Sequence, residues 1–386
     1  MPIHHFVSTF ASWLGTGLVA ASAGYAVATL GAALKNMRDP APPLGAGDCA
    51  RPISVLKPLH GAEPRLYENL RSFCQQTHPN YQLIFGVREH QDPAIAVVHR
   101  LRAEFPQLAI DLVIDPRVHG ANLKVSNLLN MLPLARHDWL VLADSDISVP
   151  ADYLSRVTAP LADAGVGIVT CLYYGVPQDG FWSRLGCLFI DDWFAPSVRL
   201  SHASGSTRFA FGSTIALRRE ALQTIGGFEA LRDTLADDFW LGELTRQAGL
   251  RTVLSDLVVG TEVSETRLAE LWAHELRWLR TIRAIAPGGF AMSFVCFTWP
   301  VSLLGLTLAP STLGVWLAMA AGSARVARFF LGHEARRPST PWYEVLLTPF
   351  RDLLLLLEWA VALTSWRVKW RGQVLHAHKD RPMRYP

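Results

Sequence analysis

The chain has 386 residues, half of them hydrophobic and only 18% charged, with a formal net charge of +3. A soluble protein of ordinary composition carries about 25% charged residues, so the deficit points to membrane segments joined to a soluble domain. So small a charge gives no argument for nucleic acid, and the five cysteines (Cys49, Cys74, Cys171, Cys187, Cys296) lack the C-x-x-C spacing of a zinc site or a disulfide framework. From about Phe6 to Leu34 no residue is charged, enough to cross a bilayer as a helix. A cleaved signal peptide is the competing reading, but no Lys or Arg precedes the apolar run. Lys35 and Arg38 follow it, so the positive-inside rule puts what comes next in the cytoplasm, where unpaired cysteines are at home. Residues 41–50, with their Pro and Gly, read as a linker.

An alternation then begins. Strands are expected at Ile53 to Leu56, Tyr81 to Val87, Ile110 to Ile114 and Trp139 to Ala143. Helices are expected between them, at about Glu63 to Gln75, Pro93 to Glu104 and Leu123 to Leu134. This order predicts an α/β domain with a parallel, Rossmann-like sheet. No G-x-G-x-x-G opens the first helix, which counts against a dinucleotide fingerprint. Val166 to Leu172 and Phe209 to Leu217 read as further strands, Thr234 to Gln247 and Glu265 to Arg283 as helices.

After Pro287 the composition shifts. Gly288 to Ser323 holds no charge and is long enough for two spans broken near Pro310. Arg325, Arg328, Arg336 and Arg337 then suggest a return to the cytoplasm. Val345 to Trp366 is apolar but contains Arg351, Asp352 and Glu358, and so reads equally as a span, a re-entrant segment or an interfacial one. A basic tail (Arg367, Lys369, Arg371, Lys379, Arg381, Arg384) closes the chain. Three parts result: an anchor at 1–38, a domain at 50–286 whose last helix (about 265–285) is interfacial, and C-terminal spans with the tail at 287–386.

The candidate chemistry stands at strand ends. The apolar run from Trp139 ends in Asp144-Ser145-Asp146, whose two carboxylates share a side if the backbone stays extended. Ligands of open α/β sheets gather at the carboxyl ends of strands, and two hard oxygen donors there suit Mg²⁺ or Mn²⁺. A D-x-D also arises by chance in polar loops. Asp92 lies just past the second strand, where an Asp before Pro equally reads as a helix cap. Lys124 and Asn127, in G-A-N-L-K-V-S-N, could offer a cation to a phosphate or be a solvated first turn. Asp237 and Asp238 sit between apolar residues, a costly place for two charges unless capping or chemistry uses them. His274-Glu275-Leu276-Arg277-Trp278 lies on the helix that leads to the apolar segments; Arg277 can pair with a diphosphate and Trp278 can stack, although both types also mark membrane interfaces.

Taken in order, these pieces resemble the membrane glycosyltransferases of GT-A fold, family 2-like, and within them the ceramide glucosyltransferase group. The resemblance covers roughly residues 52 to 283 and rests on S-V-L-K-P-L-H-G (Ser54 to Gly61), Asp92-Pro93-Ala94, Gly120 to Asn127, D-S-D-I (Asp144 to Ile147), F-G-S-T-I-A-L-R-R (Phe211 to Arg219), Asp237-Asp238 and H-E-L-R-W. Its wording is most similar to the bacterial hopanoid branch, which moves N-acetylglucosamine from UDP-GlcNAc to bacteriohopanetetrol. The alternative within the class is ceramide as acceptor with UDP-glucose as donor. The resemblance implies a GT-A catalytic domain (a Rossmann-like mixed sheet) in the cytoplasm of a bacterial inner-membrane protein, held by N-terminal and C-terminal transmembrane helices.

It further implies an inverting, Mg²⁺- or Mn²⁺-dependent enzyme with a UDP-sugar donor and an amphiphilic lipid acceptor. Asp92 would hold the uracil and ribose of UDP, Asp144 the nucleotide sugar, and Asp144 with Asp146 the metal. Lys57, Lys124, Arg277 and Trp278 would complete the donor site, Asp238 would be the general base, and Asp237 and His274 would lie on the acceptor side. Two departures stand out. His274 replaces the first residue of the family's (Q/R)-x-x-R-W, and Ala195, not His, precedes Pro196. Outside this class, a non-catalytic nucleotide-sugar binder would be expected to lack one of the three carboxylates at 144, 146 and 238. A transporter would need charges inside several spans.

Overall fold

Every apolar run expected as a strand becomes one, but the sheet they form is mixed. The computed structural model describes residues 2–38, 51–336, 341–370 and 373–377; the expected linker at 41–50, Cys49, Arg337, Arg371, Lys379, Arg381 and Arg384 lie outside the described residues. The chain divides into two units. Among the described residues, one comprises 51–176 and 206–264, the other 2–38, 177–205 and those from 265 onward. The second unit therefore takes in the helix Leu268–Ile285 and a stretch around Gly180 to Ala203 that reads in the sequence as neither strand nor span.

The first unit is built on eight strands: Ile53–Pro58 (β1), Tyr81–Val87 (β2), Ala109–Ile114 (β3), Trp139–Leu142 (β4), Ile147–Ser148 (β5), Val166–Pro177 (β6), Ile215–Arg218 (β7) and Arg251–Val263 (β8). Their order is β3-β2-β1-β4-β7-β6-β8-β5. The first four are parallel, joined by the helices Leu66–Cys74, Ala94–Glu104 and Leu123–Met131. Beyond β4 the sense changes: β7 runs antiparallel to β4, β6 to β7 and β5 to β8. Helical crossovers dictate parallel pairing only in the first half, which is why the fully parallel sheet expected from spacing holds for β1 to β4 alone. In that half the alternation is strict. Ile53, Val55, Leu83, Phe85, Trp139 and Val141 join the core on one face, while Leu56, Ile84, Leu140 and Leu142 join the core on the other. With both faces covered, the end of β4 is the point where the chain must leave the core, and Asp144 follows there.

Two local expectations change. Of the stretch Phe209 to Leu217 only Ile215 onward pairs as β7, and residues 209–214 form a loop closed by a Phe211–Thr214 bridge. β8 was not legible as a strand, yet it supplies Thr261 and Glu262 to the neighbourhood of Asp146.

In the second unit a helix spans Pro2–Arg38, and its stretch Phe6–Met37 is the one helix among the described residues that alone is long and apolar enough to cross a membrane. Residues 287–308 reach that length only as two helices bent by 76°. The break expected near Pro310 is present, between Thr298–Leu308 and Thr312–Arg336, but two further C-terminal spans are not shown. The N-terminal helix packs on both of those helices, burying Val19, Ser22, Ala23 and Ala26. It does so through glycine: a β-carbon at Gly15 would lie 2.6 Å from the Gly305 carbonyl oxygen, and one at Gly305 would lie 2.5 Å from Val19. Gly305→Leu is thus expected to prise the two helices apart and lower the yield of folded protein in the membrane fraction; a yield equal to wild type would contradict this packing.

The charges of the apolar C-terminal segments turn inward. Arg325 and Arg328 are buried against Asp192, and Arg325 also reaches Asp352 at 2.7 Å, so these two arginines do not form the surface cluster on which the return to the cytoplasm was read. Arg351 lies between Glu275 and Glu358 at 2.6 and 2.9 Å. The three charges of Val345 to Trp366 are therefore all partnered inside the protein, which removes the physical objection to their lying in an apolar helix.

Candidate active site

β4 ends at Leu142, and the backbone turns at Ser145 and Asp146 before β5 instead of staying extended. The turn separates the partners of the two carboxylates. Asp144 Oδ1 receives the Lys124 ammonium at 2.6 Å. Asp146 Oδ2 accepts from the Thr261 hydroxyl at 3.1 Å, while its Oδ1 is buried with no hydrogen-bond partner. Burial, with Asp144 and Glu63 nearby, pushes the Asp146 carboxyl up to about 7. Glu262, half-buried on β8, is likewise pushed up to about 6, first by burial.

Lys57 on β1 is fully buried. Its ammonium donates to the Asp144 carbonyl at 2.7 Å and stands 3.6 Å over the Phe73 ring, so the structure gives it a protein partner at the base of the D-S-D turn. Burial lowers it to about 7 against the pull of Asp144, Asp146 and Glu63. Lys124 responds oppositely. Burial works against its charge too, but Asp144, Asp237 and Asp238 outweigh that and hold the ammonium above its ordinary range.

Asp237 and Asp238 open the helix Asp237–Gln247, where negative charge meets the positive end of the helix dipole. Asp237 Oδ2 lies 3.8 Å from Lys124 and Oδ1 accepts from Asn122 at 3.0 Å. Asp238 accepts from the Gly212 and Phe239 backbone N–H groups at 2.9 and 2.8 Å. Burial, then Asp237, pushes its carboxyl up to about 6. Gly212 brings the set together: a β-carbon there would lie 3.0 Å from both Asp144 Oδ2 and Lys124 Nζ and 3.5 Å from Asp238 Oδ2. Any larger residue there would push on the Asp144 carboxylate and the Lys124 ammonium.

Asp92 closes a separate corner. Its carboxylate accepts from Gly61 N–H at 3.0 Å and from Ala94 N–H at 2.9 Å, so it both ties down the turn after β1, where Gly61 has φ +74°, and caps the helix behind it. Asn127 donates to the Gly86 carbonyl and is buried there, a structural contact. His274, Arg277 and Trp278 belong to the second unit, on the helix Leu268–Ile285. There His274 pairs with Glu265 and sits edge-on to Trp278 at 4.4 Å, and Phe189 covers Trp278 from another side at 5.3 Å. Trp272 packs on the apolar cluster of Leu185, Leu188, Leu271 and Leu354.

The donor set fits a divalent cation. Asp144 and Asp146 offer hard oxygens, and the unpartnered buried Asp146 Oδ1 is what a cation would satisfy. Among the described residues no three His, Cys, Asp or Glu side chains converge as an all-protein cage.

A parallel-then-antiparallel sheet with acidic residues at the end of its central strand is the GT-A fold of nucleotide-sugar-dependent glycosyltransferases. The solved structure of the mannosyltransferase PcManGT from Pyrobaculum calidifontis, in complex with GDP-Man and Mn²⁺, shares it: TM-score 0.54 at 21% identity, over 91% of this chain and 98% of that one. The model of glycosyl transferase family 21 matches residues 16–383, and the chain belongs to that family. Among curated relatives, ceramide glucosyltransferase 1 of Caenorhabditis elegans is 24% identical over 236 residues, 61% of this chain and 50% of that protein. Ceramide glucosyltransferase 3 of the same organism is 22% identical over 340 residues, 84% and 72% of the respective chains. The chain thus spans about half the length of the first of these relatives.

Proposed function

We propose that the chain is an inverting glycosyltransferase that moves a hexose from a UDP-sugar to the hydroxyl of a membrane lipid. The observation that carries the reading is the convergence of Asp144, Lys124 and Asp238 around Gly212 at the end of β4. Asp238, ionised above about pH 6, takes the proton of the acceptor hydroxyl as that oxygen attacks the anomeric carbon. The displacement is single and oxocarbenium-like, with no covalent enzyme intermediate. Lys124 faces the donor side with a cation that its neighbours keep charged. Asp144 and Asp146 would hold Mg²⁺ or Mn²⁺, which when bound supplies charge neutralisation on the diphosphate. Asp92, Arg277 and Trp278 keep the donor-binding roles that the family resemblance gives them, and Asp237 and His274 the acceptor side. The protein is membrane-associated through its apolar N-terminal helix; our reading adds a cytoplasmic catalytic domain and a multi-pass, bacterial inner-membrane setting.

For donor and acceptor, the names of the relatives support glucose and ceramide over N-acetylglucosamine and bacteriohopanetetrol. Against this stands Ala195 before Pro196, where the ceramide enzymes carry histidine. The test is the purified full-length chain given UDP-glucose or UDP-GlcNAc with ceramide or bacteriohopanetetrol, and the lipid products weighed by mass spectrometry. Hexosylceramide is expected, lost on exhaustive chelation and restored by Mn²⁺ or Mg²⁺. Full turnover after chelation would remove the metal from the reading. N-acetylhexosaminyl bacteriohopanetetrol as the sole product would reverse the choice of substrates, and no product from any pair would end the enzymatic reading.

A further inference from the structure

Asn122 touches neither Asp144 nor Asp146, yet more of the candidate site passes through it than through any ligating residue. It is 1% exposed, and every hydrogen-bonding position of its side chain is used. Oδ1 accepts from the Lys124 and Val125 backbone N–H groups at 2.9 and 3.0 Å, capping the helix Leu123–Met131. Nδ2 donates to the Thr234 carbonyl at 2.8 Å and to Asp237 Oδ1 at 3.0 Å. Its own N–H donates to the Arg232 carbonyl at 2.8 Å, and the neighbouring Ala121 N–H to Asp233 Oδ1 at 2.9 Å. Gly120 permits the approach, since a β-carbon there would lie 2.5 Å from the Arg232 carbonyl oxygen.

We propose that Asn122 is the positioning residue of the Asp237–Asp238 pair, locking the helix start that bears the candidate base to the helix start that bears Lys124. The inference deepens the functional reading above and rests on it. A cap alone needs only the side-chain oxygen, and Ser, Thr or Asp would cap as well. The carboxamide caps one helix while donating two hydrogens at once, to the Thr234 carbonyl and to the carboxylate that opens the other helix; a hydroxyl has one proton to give and a carboxylate none. A half-buried Asp237 given a second anion in place of that donor would be repelled, and a displacement near 1 Å costs roughly 10²-fold in rate.

Two variants of the purified chain separate this from a merely structural cap. Asn122→Asp keeps the acceptor for Lys124 and Val125 but turns an oxygen on Asp237. Asn122→Ser keeps an acceptor and adds no charge, but its single hydroxyl proton on a shorter side chain cannot replace both amide donors. The groups that face Asp238 are Asp237 on its own helix, Lys124 on the helix of Asn122 and the Gly212 N–H of the 209–214 loop. Both variants are expected to fold, to keep the donor KM within about twofold and to lower kcat by roughly 10²-fold. The acid limb of kcat is expected to move to higher pH in Asn122→Asp, as a new anion favours the protonated acid, and to stay put in Asn122→Ser. If Asn122→Asp fails to fold, Asn122→Ser alone decides. Folded Asn122→Ser with wild-type kcat overturns the inference, as does a loss of activity that only tracks loss of folded protein. An inactive wild-type chain in the same assay would instead overturn the functional reading.

Discussion

Asp238→Asn is expected to lower transfer by ~10²–10⁴-fold while UDP-sugar binding stays near wild type. The amide has the shape of the carboxylate but cannot take a proton at working pH. It also disturbs the local bonding, because Asp238 accepts two backbone N–H groups and an asparagine must turn its NH₂ toward one of them. Losing one such bond to a carboxylate is worth about 1.5–3 kcal/mol, roughly ten- to a hundredfold, so a loss beyond that range, together with the pH profile, discriminates chemistry from structure. The wild-type pH profile gives the companion test. A base must be ionised to act, and burial with Asp237 raises this carboxyl to about 6. Turnover should therefore fall as pH drops below about 6 and level off above it, and the variant should lose that limb. Near wild-type turnover by Asp238→Asn would transfer the role to Asp237.

What the sequence disclosed of this fold follows physical rules about which signals are local. β1, β2 and β4 were legible because burial on both faces writes near-continuous apolar runs, interrupted only by Ser54 and Lys57 in β1 and Gln82 in β2, and the helices between them because their lengths match crossovers. Antiparallel pairing beyond β4 leaves no such mark. β8 mixes exposed, half-buried and buried residues without a regular period and holds Ser255, Asp256 and Gly260, so it gives no clear strand signal until the sheet supplies its partners. Asp144, Lys124 and Asp238 could be named one by one from a strand end and helix starts. Their convergence could not, because they meet around Gly212 in a stretch expected to be strand. Asn122 leaves no local mark for the same reason: as a cap it is ordinary, and its side chain meets Thr234 and Asp237 only across 112 and 115 positions of sequence. Arg325 and Arg328 depart furthest from their sequence reading, since a count of cations assumes that they face water and both are buried against Asp192.

Arg351→Met is expected to destabilise the second unit by about 3–5 kcal/mol, the cost of removing one partner from a buried ion cluster. Arg351 is fully buried, and its guanidinium reaches Glu275 through two nitrogens at 3.1 and 2.6 Å and Glu358 at 2.9 Å. Without it two carboxylates face each other with no cation between them. Methionine fills much of the same space, so the loss reports charge more than volume. The cluster as a whole need not contribute stability, because desolvating three charges opposes their attraction. The triple replacement Arg351→Met, Glu275→Leu and Glu358→Leu should accordingly recover most of the thermal midpoint that the single replacement loses, measured on the detergent-solubilised chain. Failure to recover would mean that the apolar side chains do not fill the site. Full stability of the single variant would mean that Glu275 and Glu358 are not both charged there. Glu275 shares its helix with His274, Arg277 and Trp278, so a triple variant that is stable but transfers slowly would assign the cluster to setting the register of that helix rather than to holding the unit together.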